Sequence, residues 1–193
     1  VDNKKRIWIG FYQDGLDYSV YQSDLFKVYA YPPHFNSLNL TVRSFLINDH
    51  IKLIGTRDGL YYINEQQQIV KYFDRTVLQS DLILSLIYYN GEYYIGTYGA
   101  GMYILNPESL TIRRTGFPEC EALQSGHIFC FRTDTNGSLW IGSSSGVIRY
   151  DGVTDRIEMF TSFNSLLPEG NVYEIFFDSD HKGWFCCDKG LVL

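Results

Sequence analysis

Hydrophobic and polar positions alternate along this chain in short bursts, and the bursts recur. The stretch LWIGSSSGVIRYDG, residues 139–152, is an apolar strand, a small polar turn closed by glycine, a second apolar strand and another turn signal. The large apolar position opening such a unit recurs as Trp8, Leu53, Tyr94, Trp140 and Trp184, at spacings of 45, 41, 46 and 44 residues. Two residues later the column reads Gly10, Gly55, Gly96, Gly142 and, as a departure, Cys186. A second glycine precedes an apolar residue in each unit: Gly15-Leu16, Gly59-Leu60, Gly101-Met102, Gly146-Val147 and Gly190-Leu191. Six residues before the large apolar position stand Asp2, Ile47, Tyr88, Asp134 and Asp178, and turn formers such as Asn90-Gly91 and Asn136-Gly137 follow. Asn and Gly tolerate the positive φ of tight turns.

Each period therefore predicts the same order. An apolar first strand, such as Ile128 to Arg132 or Val172 to Phe177, leads through a tight turn to the "WIG" strand. A short polar loop and the "GVIRYD" strand follow, then a weaker fourth strand such as Arg156 to Thr161 or Leu25 to Tyr31. Four antiparallel strands in about 44 residues make one blade of a β-propeller. The fold class is all-β: about four four-stranded blades plus partial ones, in a single domain over residues 1–193. Propeller sheets stack face to face. The large ring is expected to fill the space between blades, and the glycine beside it to let the neighbouring sheet approach. No segment predicts a helix over three turns; Ser80–Leu86 comes nearest but aligns with an innermost strand.

Composition adjusts this picture at a few points. Aromatics make up 17% of residues, which suits pleated, packed surfaces. The formal charge of −6 excludes a nucleic-acid partner, because phosphates demand a basic surface. No apolar run approaches the ~20 residues of a membrane-spanning helix. None of Cys120, Cys130, Cys186 and Cys187 lies in a CxxC, and the four His show no metal-ligand spacing, so neither metal nor cofactor is expected. All four cysteines read as buried packing residues, with a Cys120–Cys130 bridge left open for an oxidising compartment.

The segment DTNGSLWIGSSSGVIRYD, residues 134–151, resembles the two-component regulator propeller repeat, whose pattern is roughly D-x-x-G-x-L-W-I-G-T-x-x-G-L-x-x-Y-D. Nearly every position of this period fits; elsewhere Leu53 and Tyr94 replace the Trp and Cys186 replaces a Gly. The resemblance implies a fragment of a seven-bladed propeller in the periplasmic sensor of a hybrid two-component system. It further implies an oligosaccharide ligand and a downstream histidine kinase beyond a membrane helix. The chain itself is then not an enzyme, and it touches the membrane only through parts of the protein outside this chain.

In a propeller, the loops joining a fourth strand to the next first strand share a face with the loops between second and third strands. That face usually carries ligands. On it, Gln13, Asp14, Arg57, Asp58 and Tyr98 combine hydrogen-bonding groups with an aromatic, which suits a sugar. His127 opens an innermost strand and Glu169 lies in the PEGN loop, residues 168–171; a propeller lyase would need these two to converge. A protein-binding scaffold would instead show a broad apolar patch. Asp134 and Asp178 are expected to cap turn amides. The sequons at Asn39 and Asn136 read as chance matches. The chain begins just before a second strand and stops within a third. It is therefore expected to pair with the rest of its own propeller or with a second copy.

Overall fold

The computed structural model describes residues 7–11, 15–19, 27–28, 41–48, 51–66 and 68–193, with side chains described from residue 41 onward. The chain divides into two compact units, Val1–Ile83 and Leu84–Leu193. Every sheet is an antiparallel meander in chain order.

In the first unit, β1 (Ile7–Phe11), β2 (Gly15–Ser19) and β3 (Lys27–Val28) form a three-stranded sheet. A four-stranded sheet follows: β4 (Val42–Asn48), β5 (Ile51–Thr56), β6 (Gly59–Ile63) and β7 (Ile69–Phe73). Strand β6 is buried along its whole length, as expected of a strand covered on both faces. Val42, Ile54, Tyr61 and Ile63 form a core cluster with Phe45, Ile47 and Ile69 against it.

Two complete blades and a three-stranded sheet account for the rest. The first is β8 (Ile83–Tyr89), β9 (Glu92–Thr97), β10 (Met102–Leu105) and β11 (Ile112–Arg114). The second is β12 (Ile128–Thr133), β13 (Leu139–Ser143), β14 (Gly146–Asp151) and β15 (Arg156–Phe160). Strands β16 (Val172–Phe177), β17 (Gly183–Cys187) and β18 (Gly190–Val192) follow. The predicted strand order is thus observed in each repeat. Two short helices, α1 (Arg75–Leu78) and α2 (Glu121–Ser125), interrupt loops that the sequence pattern leaves irregular. Asp74 starts α1 by accepting the Thr76 amide.

Successive blades of the second unit pack through the predicted columns. Met102 and Ile104 meet Ile128, Leu139, Ile141 and Ile148 in one cluster. Val147, Val172 and Ile175 form the next, with Trp140, Phe160 and Phe185 against it. Trp140 lies parallel to Phe160 at 5.7 Å and edge-on to Phe177 of the following sheet. The ring does fill the space between blades, but it is half-buried rather than enclosed, because its Nε1 reaches out to Asp134 Oδ2 at 2.8 Å. The glycine column behaves as expected. A Cβ on Gly142 would stand 2.6 Å from the carbonyl oxygen of Val172 in the next sheet, and one on Gly96 would stand 2.7 Å from that of Ile128. Trp8 and Gly10 lie outside the residues with described side chains.

One cysteine expectation is corrected. Cys120 and Cys130 are buried free thiols, and burial pushes the Cys130 thiol up to about 12. Cys186, however, is exposed. It occupies the position that glycine holds in the other periods.

Candidate functional site

The turns between second and third strands are built by a repeated hydroxyl. Thr97 Oγ1 donates to the Gly101 carbonyl at 2.8 Å and accepts the Ala100 amide at 3.2 Å. Thr56 does the same with Gly59 and Asp58, and Ser143 with Gly146 and Ser145. All three hydroxyl residues are fully buried. The closing glycines have φ of 116° at Gly59, 70° at Gly101 and 114° at Gly146, a region that disfavours side chains. Each turn is therefore pinned from beneath while its tip projects. The Gly101 amide donates to Gly126 at 2.9 Å, and the Gly59 amide to Asp81 at 2.7 Å. These bonds put the two loop classes side by side on one face, as expected.

The predicted site residues divide accordingly. In the first unit, Arg57 is exposed at its turn tip, and its amide donates to the Thr41 carbonyl at 3.0 Å. Asp58 beside it is half-buried, and its carbonyl accepts from the Tyr72 hydroxyl. Tyr72 in turn stacks on Tyr61 at 4.6 Å. Gln13 and Asp14 lie outside the described residues. In the second unit, Tyr98 is 51% exposed at the β9–β10 tip. Its ring lies flat on His127, 3.8 Å between centroids and 10° between planes.

His127 extends the aromatic surface rather than meeting a catalytic partner. Its backbone exchanges hydrogen bonds with Ser144, while its Nδ1 is buried without a hydrogen-bond partner. No hydrogen bond or ion pair joins it to the exposed Glu169 among the described residues. Phe129 packs edge-on to His127 at 5.9 Å, and Tyr173 lies 4.9 Å from Phe129. Four rings from three successive sheets thus form one ladder.

Phe129 and Tyr173 are residues that sequence reasoning missed. Both occupy β-bulges. The β12–β13 register slips between Ile128 and Cys130, and the β16–β17 register between Val172 and Glu174; β4 repeats the slip between Val42 and Ser44. A bulge inserts one extra residue into a strand and re-aims its side chain. The extra residues are Arg43, Phe129 and Tyr173. The signal was present in the repeats: this column varies while the preceding one stays apolar as Val42, Ile128 and Val172.

A polar cluster ends the ladder. The Tyr173 hydroxyl donates to Asp188 Oδ1 at 2.7 Å and accepts from Asn171 Nδ2 at 2.9 Å. The Asn171 amide donates to Asp188 Oδ2 at 2.8 Å. The Asn171 amide, then the Tyr173 hydroxyl, hold the Asp188 carboxyl below the usual carboxylate range, so it is ionised at neutral pH. Alongside, Arg132 and Glu174 of adjacent first strands pair at 3.0 Å.

Comparison with known proteins gives the same architecture. The family described as two component regulator propeller matches residues 122–145. No curated protein matches the chain. Among solved structures, the extracellular domain described as that of the hybrid two component system BT4673 from B. thetaiotaomicron is 23% identical with a TM-score of 0.74, over 99% of this chain and 26% of that one. The corresponding domain of BT3049 from the same organism is 20% identical with a TM-score of 0.71, over 98% of this chain and 25% of that one. PorZ of Porphyromonas gingivalis, a surface component of the type-IX secretion system, is 15% identical with a TM-score of 0.74, over 98% of this chain and 30% of its own. This chain spans about a quarter of the two extracellular domains from B. thetaiotaomicron. Its blades are those of a β-propeller, and residues 122–145 match the family described as two component regulator propeller.

Proposed function

We propose that this chain is part of the extracytoplasmic, ligand-sensing propeller of a two-component system, that it takes up an oligosaccharide on its loop face, and that it signals to a downstream histidine kinase. The observation that carries the reading is the half-exposed Tyr98 ring, stacked on His127 and held on a turn pinned by buried Thr97. An aromatic fixed in advance on a rigid turn loses little freedom on binding and offers an apolar face to a sugar ring. Exposed Arg57, at the equivalent tip in the first unit, offers a fork of donors to hydroxyl oxygens. The propeller repeat, and the sensors that share this fold, supply the two-component context. A ligand shifts the equilibrium of such a sensor only through differential affinity for its two signalling states.

Calorimetry on the full-length protein with a panel of oligosaccharides tests the reading. Tyr98→Ala is expected to weaken binding roughly tenfold, the scale of one lost aromatic contact. Arg57→Ala is expected to weaken it as well. Unchanged affinity in both variants contradicts the site.

A further inference from the structure

We infer that the ladder Tyr98–His127–Phe129–Tyr173, ending at Asp188, is a binding platform for a neutral oligosaccharide that runs across the first strands of successive blades. The inference rests on the proposal that the propeller takes up oligosaccharides, and it names the place and the chemical class.

Three independent features converge on this surface. The rings form an unbroken succession, with centroid steps of 3.8, 5.9 and 4.9 Å. The row crosses three successive sheets, a span that suits a chain of sugar rings better than a single small ligand. The succession is open to solvent at both ends: Tyr98 is 51% exposed and Tyr173 46%. Second, Phe129 and Tyr173 stand at bulges, where the regular ladder of hydrogen bonds is given up and the side chain is turned out of the sheet. The same slip in β4 places Arg43 at this position, so the bulge belongs to the first strand of the repeat, and in two neighbouring blades it presents an aromatic ring. Third, a polar group sits where a sugar lying on the rings would present its hydroxyls. Asp188 Oδ1, which accepts from the Tyr173 hydroxyl, keeps a second lone pair for a sugar hydroxyl, whereas the Asn171 N–H groups are already given to Asp188 and Tyr173.

The charges around the platform decide between neutral and acidic glycans. Asp188 is ionised, with Lys189 beside it, and Glu169 lies in the preceding loop. Arg132 is engaged by Glu174. A uronate or sulfate placed on Tyr173 would face Asp188 at short range, with the Arg132 guanidinium already paired to Glu174. A hydroxyl there would instead donate to it, in the stronger, charge-assisted kind of hydrogen bond.

The test is calorimetry on the full-length protein with tetrasaccharides of xylose, arabinose, galactose and glucose, set against tetragalacturonate and a heparin-derived tetrasaccharide. At least one neutral chain is expected to bind and the acidic ones not. Phe129→Ala and Tyr173→Ala should each lower affinity roughly tenfold. Asp188→Asn should lower it by tenfold or more. Tyr173→Phe keeps the ring and should cost less than Tyr173→Ala; its melting temperature separates lost contact from lost fold. Phe163→Ala, at a ring that is 96% exposed outside the ladder, should change nothing. A neutral chain bound with undiminished affinity by all the ladder variants overturns the platform and leaves the broader sensor reading standing. Binding of acidic chains alone overturns the assigned class. If no saccharide binds the unaltered protein, the oligosaccharide reading itself falls and the platform with it.

Discussion

Asp134 shows how much one residue does within a repeat. Its Oδ1 accepts the amides of Asn136 and Ser138, closing the tight turn, while its Oδ2 accepts Trp140 Nε1 six residues on. Asp178 repeats this with Asp180, Lys182 and Trp184. The pairing explains why aspartate stands six residues before tryptophan in these two periods, and why Tyr88 and Ile47 stand there when the large apolar residue is Tyr94 or Leu53, which has no indole N–H to place. Trp140→Phe should lose about 1 kcal/mol with the hydrogen bond. Trp140→Ala should lose roughly 3 kcal/mol, the low end for a large aromatic, because the ring is half-buried. Denaturant melts measure both. The Trp184 hydrogen bond, then the Lys182 amide, hold Asp178 below its usual carboxylate range. A lowered folded value means its stabilising contribution is present above the normal carboxylate pKa and is lost as pH falls through the folded one. Asp178→Asn should therefore lower stability at neutral pH and flatten the acid limb, the variant and the unaltered protein converging at low pH in acid melts. Thiol labelling gives a further check. Exposed Cys186 should react in the native protein, whereas buried Cys120 and Cys130 should react only on unfolding.

At the scale of the element, each column of the repeat is legible because it answers a geometric need of a blade. Glycine permits close approach, hydroxyl and glycine pin the second turn, and aspartate with tryptophan closes the first. Gly142→Ala would press a methyl group to within 2.6 Å of the Val172 carbonyl and 2.5 Å of Cys130 Sγ. Backbone on one side leaves little room to give, so a loss of about 1–3 kcal/mol is expected in denaturant melts. Helices α1 and α2 were not legible. At four and five residues they are too short to show a 3.6-residue period, and only Asp74 ahead of α1 marks a start. The bulges were hidden for a different reason. A slip at Phe129 or Tyr173 leaves the apolar alternation on either side nearly intact, so both rings read as ordinary strand aromatics.

At the scale of the molecule, blades of the second unit stack through apolar clusters, and the residues proposed for binding stand at turn tips and bulges. The sequence pointed to the face, because turn residues mark it, and to Tyr98 on it. It did not point to Asn171, Tyr173 and Asp188, which come from three separate positions and meet only once β16 and β17 pair. The central claim is that this face, and not the outer strand edges, receives a saccharide. Hydrogen–deuterium exchange on the full-length protein, with and without the tetrasaccharide that binds best, measures it directly. The account predicts slowed exchange in residues 97–101, 126–129 and 171–174, with no change in β11 and β15. Protection confined to β11 or β15, with those three segments unaltered, would contradict it.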